Sequence, residues 1–309
     1  MDRAQLTAFD RIAREGSFSR AALAIGIGQP AISARIHALE AAVGGALFTR
    51  GRRIALTPMG EGFLPAARRA LQVLDEGIET AHLAQSGRRG RVRLGVLGSL
   101  AGGLAGAALA DFVRARPDVE CMARSGAHEV LVEMLLDGIV EIAIITWPAP
   151  EARAAGLVPL LLFREPVVLV AHPRHPLAAR KAVSREELVR KARPLFRLRW
   201  WPSHHPEILR LTQAAGTPVD VTMEAARQMV LDRVGAGFFT RTYIGEDLAA
   251  GRLKEIRVLK MAPLHRDSAL VRLGRTVPLS PAALQLVDLI RAHALRLGLS
   301  PSRPARPRR

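Results

Sequence analysis

The run AALAIGIGQPAISARIHALE, residues 21 to 40, places the tightest local constraint on the chain. Apolar residues at helical spacing stop at Gly26-Ile27-Gly28, and a new helical pattern starts at once with Gln29-Pro30. Two glycines do not comfortably continue a helix. A proline in the first turn costs nothing, because its missing N–H would have no intrahelical partner there. Upstream, Leu6, Phe9, Ile12 and Ala13 form a one-sided stripe that Gly16 ends. Ser17-Phe18-Ser19 then offers hydroxyl caps for a short second helix reaching about Ile25. Ile32, Ile36, Leu39 and Val43 give the third helix a buried face, and Gly44-Gly45 stops it. Helix, tight glycine turn and helix is the arrangement that presents a second helix to a DNA major groove.

An ordinary helical bundle with water-facing polar residues would fit the same pattern, so the next segment matters. Leu47-Phe48 and Ile54-Ala55-Leu56 read as short strands around the basic tip Arg50-Gly51-Arg52-Arg53, a β-hairpin wing. On the third helix, Gln29, Ser33 and Arg35 fall near the exposed side of the first turns. Gln can bond bidentately to adenine and Arg to guanine or phosphate. Pro30 suits a thymine methyl, and Arg52 and Arg53 suit a minor groove or the backbone. Ser19, His37 and Arg50 complete the candidate DNA-contacting set. The net charge of +17 agrees with a polyanionic partner. It does not decide the matter. Lysine appears only at 181, 191, 254 and 260, and arginines are spread along the whole length, a bias that base composition alone would produce.

Leu64, Ala67, Leu71, Leu74, Ile78 and Leu83 recur at helical spacing between 58 and about 84. They predict a helix of roughly 40 Å at 1.5 Å per residue, whose apolar stripe needs another helix or another subunit. After the Gly/Arg linker SGRRGR, strand-like VRLGVL, VECMA and EIAIIT alternate with helical patterns at 104–116 and 130–136. A second block runs from PVVLVAH (166–172) to about Leu259, and SALVRLGR with a helix at 282–297 closes the fold. This alternation predicts parallel α/β structure. The division expected is 1–58 for a winged helix-turn-helix, 59–90 for a linker helix and hinge, and 91–299 for an α/β domain. Within that domain, lobe I comprises about 91–162 and 268–299, and lobe II about 163–267. The Pro/Arg-rich 300–309 is expected to be a disordered basic tail.

Function classes drop out next. No apolar run reaches transmembrane length and the N-terminus has no h-region, which predicts a cytoplasmic protein without a membrane partner. The single cysteine, Cys121, excludes an intramolecular disulfide and is expected in the core of an apolar strand. There is no GxSxG, P-loop, GxGxxG or zinc-protease motif, so no enzyme is expected. His204-His205 has no companion ligand cluster, so neither a metal nor a cofactor is expected.

Several runs together resemble the LysR-type transcriptional regulators: F9-x2-I12-A13-x2-GSFSRAA (16–22), GQPAISARIHALE (28–40), VGGALFTR (43–50) and LTPMG (56–60). More loosely, RPDVE (116–120), SGAHEVLVEMLLDGIVEIAII (125–145), AHPRHPLA (171–178) and VGAGF (234–238) resemble that family's effector domain. The resemblance implies two α/β lobes like a periplasmic binding protein, with a small-molecule effector between them. It also implies dimers or tetramers formed through paired linker helices, interrupted palindromic promoter sites on double-stranded DNA, and RNA polymerase as a further partner. Four positions depart from the pattern: Gly28 where serine is frequent, Ala34 where Arg or Gln is, Glu141-Ile142 for Asp-Leu or Asp-Phe, and Phe239-Thr240-Arg241 without the usual proline.

In open α/β folds ligands bind beyond the carboxyl ends of strands. Ser99, Leu100 and Gly102 follow the first strand and open a helix whose amides suit a carboxylate. Ala127 and His128, and Thr146 and Trp147, follow two later strands, although His128 also fits a solvated loop histidine. Arg199, Trp200 and Trp201 could clamp an anionic or aromatic effector by ion pairing and stacking. Gly237 in the glycine motif completes the effector set. Two other readings remain open: a nonspecific architectural DNA-binding protein, and a solute-binding module without regulatory work.

Overall fold

Side-chain caps decide where the first helices begin. The computed structural model describes residues 1–49, 54–86, 90–149, 151, 154–180, 182–198, 206–216, 219–274 and 279–299. Asp2 accepts from the Gln5 amide at 2.8 Å and Gln5 bonds back to the Asp2 amide, so α1 (Arg3–Glu15) starts ahead of its apolar stripe. Ser17 caps α2 (Phe18–Ala24), whereas α3 (Gln29–Val43) starts at Gly28 with no side-chain cap. The two glycines of the turn do different things. Gly26 has φ +72°, where a side chain would be strained, but Gly28 sits at an ordinary φ of −72°.

Leu6, Phe9, Ile12, Ile32, Ile36 and Leu39 share one buried cluster with Leu47 and Phe48. The wing is present: Phe48 and Leu56 form an antiparallel bridge. Its tip, with the predicted Arg50, Arg52 and Arg53, lies outside the described residues. The linker helix α4 (Pro58–Ser86) contains Pro65, which the apolar spacing conceals and which removes one intrahelical hydrogen bond. Asp10 ties α1 to α4, accepting from Arg68 Nε at 2.7 Å and also from Arg14. The apolar stripe of α4 is divided. Leu64, Ala67 and Leu71 pack on the helix-turn-helix core, while Val73, Leu74 and Ile78 are exposed.

The chain forms two compact units: Met1–Gly90 with Glu151–Val158 and Leu273–Leu279, and Arg91–Pro150 with Pro159–Arg272 and the chain from Ser280 onward. The second unit opens with β1 (Arg91–Leu97), α5 (Gly98–Leu100), a π-helical turn at Ala101–Gly106 and α6 (Ala107–Ala115). β2 (Glu120–Gly126), α7 (His128–Leu136), β3 (Ile142–Thr146) and β4 (Leu157–Ala171) follow. Next come β5 (Ala182–Val183), α8 (Arg185–Lys191), β6 (Phe196–Leu198), α9 (Pro206–Ala214), β7 (Val219–Val221) and α10 (Met223–Leu231). β8 (Ala236–Thr240), α11 (Gly245–Ala249), β9 (Lys254–Val258), β10 (Leu264–Leu273) and α12 (Pro281–Arg296) complete it.

The main sheet runs β2-β1-β3-β10-β4-β9-β5, with β8 also pairing β4; β6 and β7 form a separate pair. Three expectations need correction. The structure is not purely parallel: β1 is parallel to β2 and β3, but β10 is antiparallel to β3, and β8 and β9 are antiparallel to β4. The second block does not begin at 166, because β4 runs unbroken across the expected lobe boundary at 162/163. Pro159 and Pro166 resemble breaks in the sequence, yet a proline carbonyl still accepts, as Pro166 O does from the Arg241 amide at 2.8 Å. Cys121 is only half-buried, since β2 is an edge strand, and burial pushes its thiol pKa up, disfavouring the reactive thiolate.

Among the described residues no helix is long and apolar enough to cross a membrane.

Candidate functional site

The first candidate surface is the outer side of α3. Ile32, Ile36 and Leu39 turn inward, which leaves Gln29, Pro30, Ala31, Ala34, His37 and Ala38 exposed. Ser33 and Arg35 flank that strip half-buried rather than projecting from it. Ser19 on α2 is exposed and donates to Gln29 Oε1 at 3.3 Å. That bond occupies the amide oxygen of Gln29 and leaves its NH2 group to face outward. The Gly28 end of α3 carries no side-chain cap, but Pro30 has no N–H and the Ala31 and Ile32 amides bond the Gly28 carbonyl, so of the first four helical residues only Gln29 has an amide to offer an anion such as phosphate.

The second is a cavity of about 630 Å3 in the α/β unit. One wall is Leu97, Gly98 and Ser99, at the turn from β1 to α5, with Ser125, Gly126, Ala127 and His128 at the turn from β2 to α7. The opposite wall is the β7–α10 turn, Asp220 to Glu224, and Arg266 of β10 reaches the interior. Strand ends and helix starts line both walls because parallel strands deliver their carboxyl ends to one edge. No side chain caps α7 at Ala127, and the positive end of the helix dipole lies at the Ala127–His128 part of the lining.

Arg266 organises the floor. It is 1% exposed, and its Nε donates to Glu165 Oε2 at 2.9 Å, with Nη2 donating to the same oxygen. Nη2 also donates to Ser99 Oγ at 2.5 Å. An arginine can only donate, so this contact uses a lone pair of the Ser99 oxygen and leaves its hydroxyl proton for another acceptor. Ser99 is 4% exposed and faces the cavity. Asp220 is held by Arg197 at 2.8 Å.

The predicted effector set divides. Ser99, Ala127 and His128 line the cavity together, and His128 is buried at the start of α7, not a solvated loop residue. Leu100 is fully buried and Gly102 is exposed on the π turn; neither contributes to the lining. Thr146 is buried at the end of β3 opposite Ser268, and Trp147 is half-buried beyond it; both lie off the lining as well. Gly237 serves packing instead. A Cβ there would meet the Phe239 ring at 2.8 Å. Arg199, Trp200 and Trp201 lie outside the described residues, as do His204 and His205. Among the described residues no cluster of metal-ligating side chains occurs. His175 caps the turn at Pro176–Ala179 through Nδ1, with its pKa lowered by burial and by His172.

Arg266, Glu165, Ser125, Asp220 and Glu224 were missed. For Arg266 a signal existed: in LHRDSALVRL a charged residue occupies an inward position of an alternating strand.

Residues 4–61 match the family model of bacterial regulatory helix-turn-helix proteins of the lysR family, and residues 85–295 match the LysR substrate binding domain. The chain belongs to the family of LysR-type transcriptional regulators. The regulator CbbR of Xanthobacter flavus is 30% identical over 288 residues, covering 90% of this chain and 84% of that one. A probable nitrogen assimilation transcriptional activator of Synechococcus elongatus is 32% identical over 193 residues, 62% of either chain, so that match spans less than two thirds of the relative. ArgP from Mycobacterium tuberculosis shares the fold, at a TM-score of 0.58 and 21% identity over 95% of this chain and 97% of that one. This LysR-type regulator thus carries an N-terminal helix-turn-helix and a two-lobed effector-binding domain, and its relatives are named as regulators of transcription.

Proposed function

We propose that this LysR-type regulator reads a two-fold, interrupted promoter site with α3 and the wing, and alters that reading when a small carboxylate-bearing molecule occupies the α/β cavity. The observation that carries the DNA half is the outward first turn of α3. There Gln29 is oriented by Ser19, Pro30 is exposed and the helix start is uncapped, and His37 is exposed two turns further along. Ser33 and Arg35 flank the exposed strip, and Arg50, Arg52 and Arg53 extend the contact through the wing. The exposed Val73, Leu74 and Ile78 of α4 need burial against a second copy, which spaces two reading heads in a dimer or a tetramer.

The carboxylate is supported by the buried Ser99 hydroxyl, fixed as a donor by Arg266, and by the uncapped start of α7. Coupling requires only that this ligand prefer one arrangement of the heads. The protein acts in the cytoplasm, with RNA polymerase as its downstream partner, and has no catalytic role.

Footprinting on the DNA upstream of its own gene, at near-physiological salt, tests the reading. Protection of an interrupted palindrome is the expected result. Uniform protection that fades steeply with salt would instead mean phosphate binding without base reading.

A further inference from the structure

We propose that the effector is a small zwitterion of the α-amino acid type, with its carboxylate at Ser99 and the α7 start and its ammonium at Glu224. This rests on the reading of the cavity as the effector site, and adds a cationic end that the sequence does not suggest.

The cavity's charges are unevenly matched. Arg266 is taken by Glu165, and Asp220 by Arg197. Glu224 is an exposed carboxylate on the cavity wall, and among the described residues no cation pairs with it. Its position in the first turn of α10 does not by itself require a ligand, because any acid there complements the helix dipole. The side chain, however, reaches across the cavity. Glu224 Oε1 lies 3.4 Å from the place a Cβ would occupy on Gly98, next to Ser99. Burial, with the charge of Glu224 second, pushes the Tyr243 phenol pKa up, consistent with a local negative field.

A second, independent observation calls for a ligand in the same space. Ser99 is buried, lines the cavity, and has its oxygen occupied by Arg266, so its proton is unspent. A ligand acceptor placed there takes a hydrogen bond that otherwise goes to cavity water, and a carboxylate oxygen makes the stronger, charge-assisted one. Donors therefore gather on the Ser99 and α7 side, and the uncompensated acid faces them from α10. A ligand that is only an anion would meet Glu224 as a like charge. One with an ammonium beside its carboxylate satisfies both walls.

The test titrates the full-length protein calorimetrically with the proteinogenic L-α-amino acids, and with the matching deaminated carboxylic acids and decarboxylated amines. At least one amino acid should bind, and both of its truncated counterparts should bind more weakly. Glu224→Gln should weaken the amino acid by about tenfold or more, the loss expected for a charged hydrogen bond. The same variant should bind the deaminated acid at least as tightly as wild type, because a like charge is removed, and Ser99→Ala should weaken both. Deaminated acids that bind the wild type as tightly as amino acids would overturn the ammonium and leave the carboxylate reading intact. So would an unchanged amino-acid affinity in Glu224→Gln. No binding by any probe would overturn both.

Discussion

Replacing Glu165 by Gln strikes the buried pair beneath the effector cavity. Glu165 and Arg266 are 0% and 1% exposed, and the carboxylate receives two guanidinium hydrogen bonds through one oxygen. The substitution leaves Arg266 charged and removes the carboxylate that receives two of its hydrogen bonds. Stranding one member of a buried pair costs about 3–5 kcal/mol. Because Arg266 borders a cavity that admits water, the lower end applies, about 3 kcal/mol, or more than a hundredfold in the folding equilibrium. The double replacement Glu165→Met with Arg266→Met removes both charges. It should return stability to within roughly 1 kcal/mol of wild type, since apolar substitutes for buried pairs are often neutral or stabilising. Urea unfolding followed by circular dichroism, over all four members of the cycle, measures the coupling. A Glu165→Gln protein that loses less than about 1 kcal/mol would refute the argument, since Arg266 would then be hydrated through the cavity. The double variant should also lose its ligand response while staying folded, because Ser99 would no longer be fixed as a donor.

Gly60→Ala and Gly62→Ala should change stability in opposite directions although both lie early in α4. A Cβ on Gly60 would sit 2.2 Å from the Leu47 carbonyl oxygen, an overlap costing about 1–3 kcal/mol or more, whereas nothing lies within 4 Å at Gly62 and alanine there gains up to about 1 kcal/mol. Urea midpoints distinguish them, and equal effects would show that α4 does not press on the wing. Asp247→Asn should destabilise lobe II at pH 7. Burial alone would raise the Asp247 pKa, but bonds from Arg227 and Arg252 more than offset it and hold it below the ordinary 3.8. The stability it contributes is present above pH 3.8 and is lost as pH falls through the lowered native value, so wild type and variant should converge in acid. A gap that persists in acid would mean packing, not charge. Gln29→Ala should weaken operator binding by about 5- to 150-fold with unchanged unfolding, as a lost base contact of about 1–3 kcal/mol requires; band-shift titration with unaltered affinity would remove α3's first turn from the groove.

The legible parts of this chain are those whose physics is local. Gly26 had to be glycine because the turn between α2 and α3 takes a left-handed backbone there, and that requirement shows in a run of twenty residues. Caps at Ser17 and apolar faces at Ile32 and Ile36 belong to the same class. Gly28, read the same way, has no such requirement, since its backbone is open to any residue. Ser99, Ala127 and His128 fall on one cavity lining because strand ends followed by helices mark one edge of a parallel sheet, whichever strands are neighbours. What failed depended on pairing between distant segments. Pro159 and Pro166 mark breaks in the sequence, but β4 runs through both, and Arg241, the residue just after β8, supplies its amide to the second proline's carbonyl. Gly237 looked like a ligand-loop glycine until the Phe239 and Phe196 rings filled the space beside it.

Arg266 illustrates the harder case. Its inward position on β10 was visible in the alternation of LHRDSALVRL, but an inward arginine is only as informative as its partner. That partner, Glu165, lies 101 residues away, and the hydroxyl it orients lies 167 residues away. The donor character of Ser99, which selects for an anionic group, is therefore a property of β4 and β10 lying side by side. It is not carried by the glycine-rich turn that contains the serine. A regulator of this family with the same turn but an apolar residue in place of Arg266 would leave that serine free to accept as well as donate, and its cavity would lose that selection.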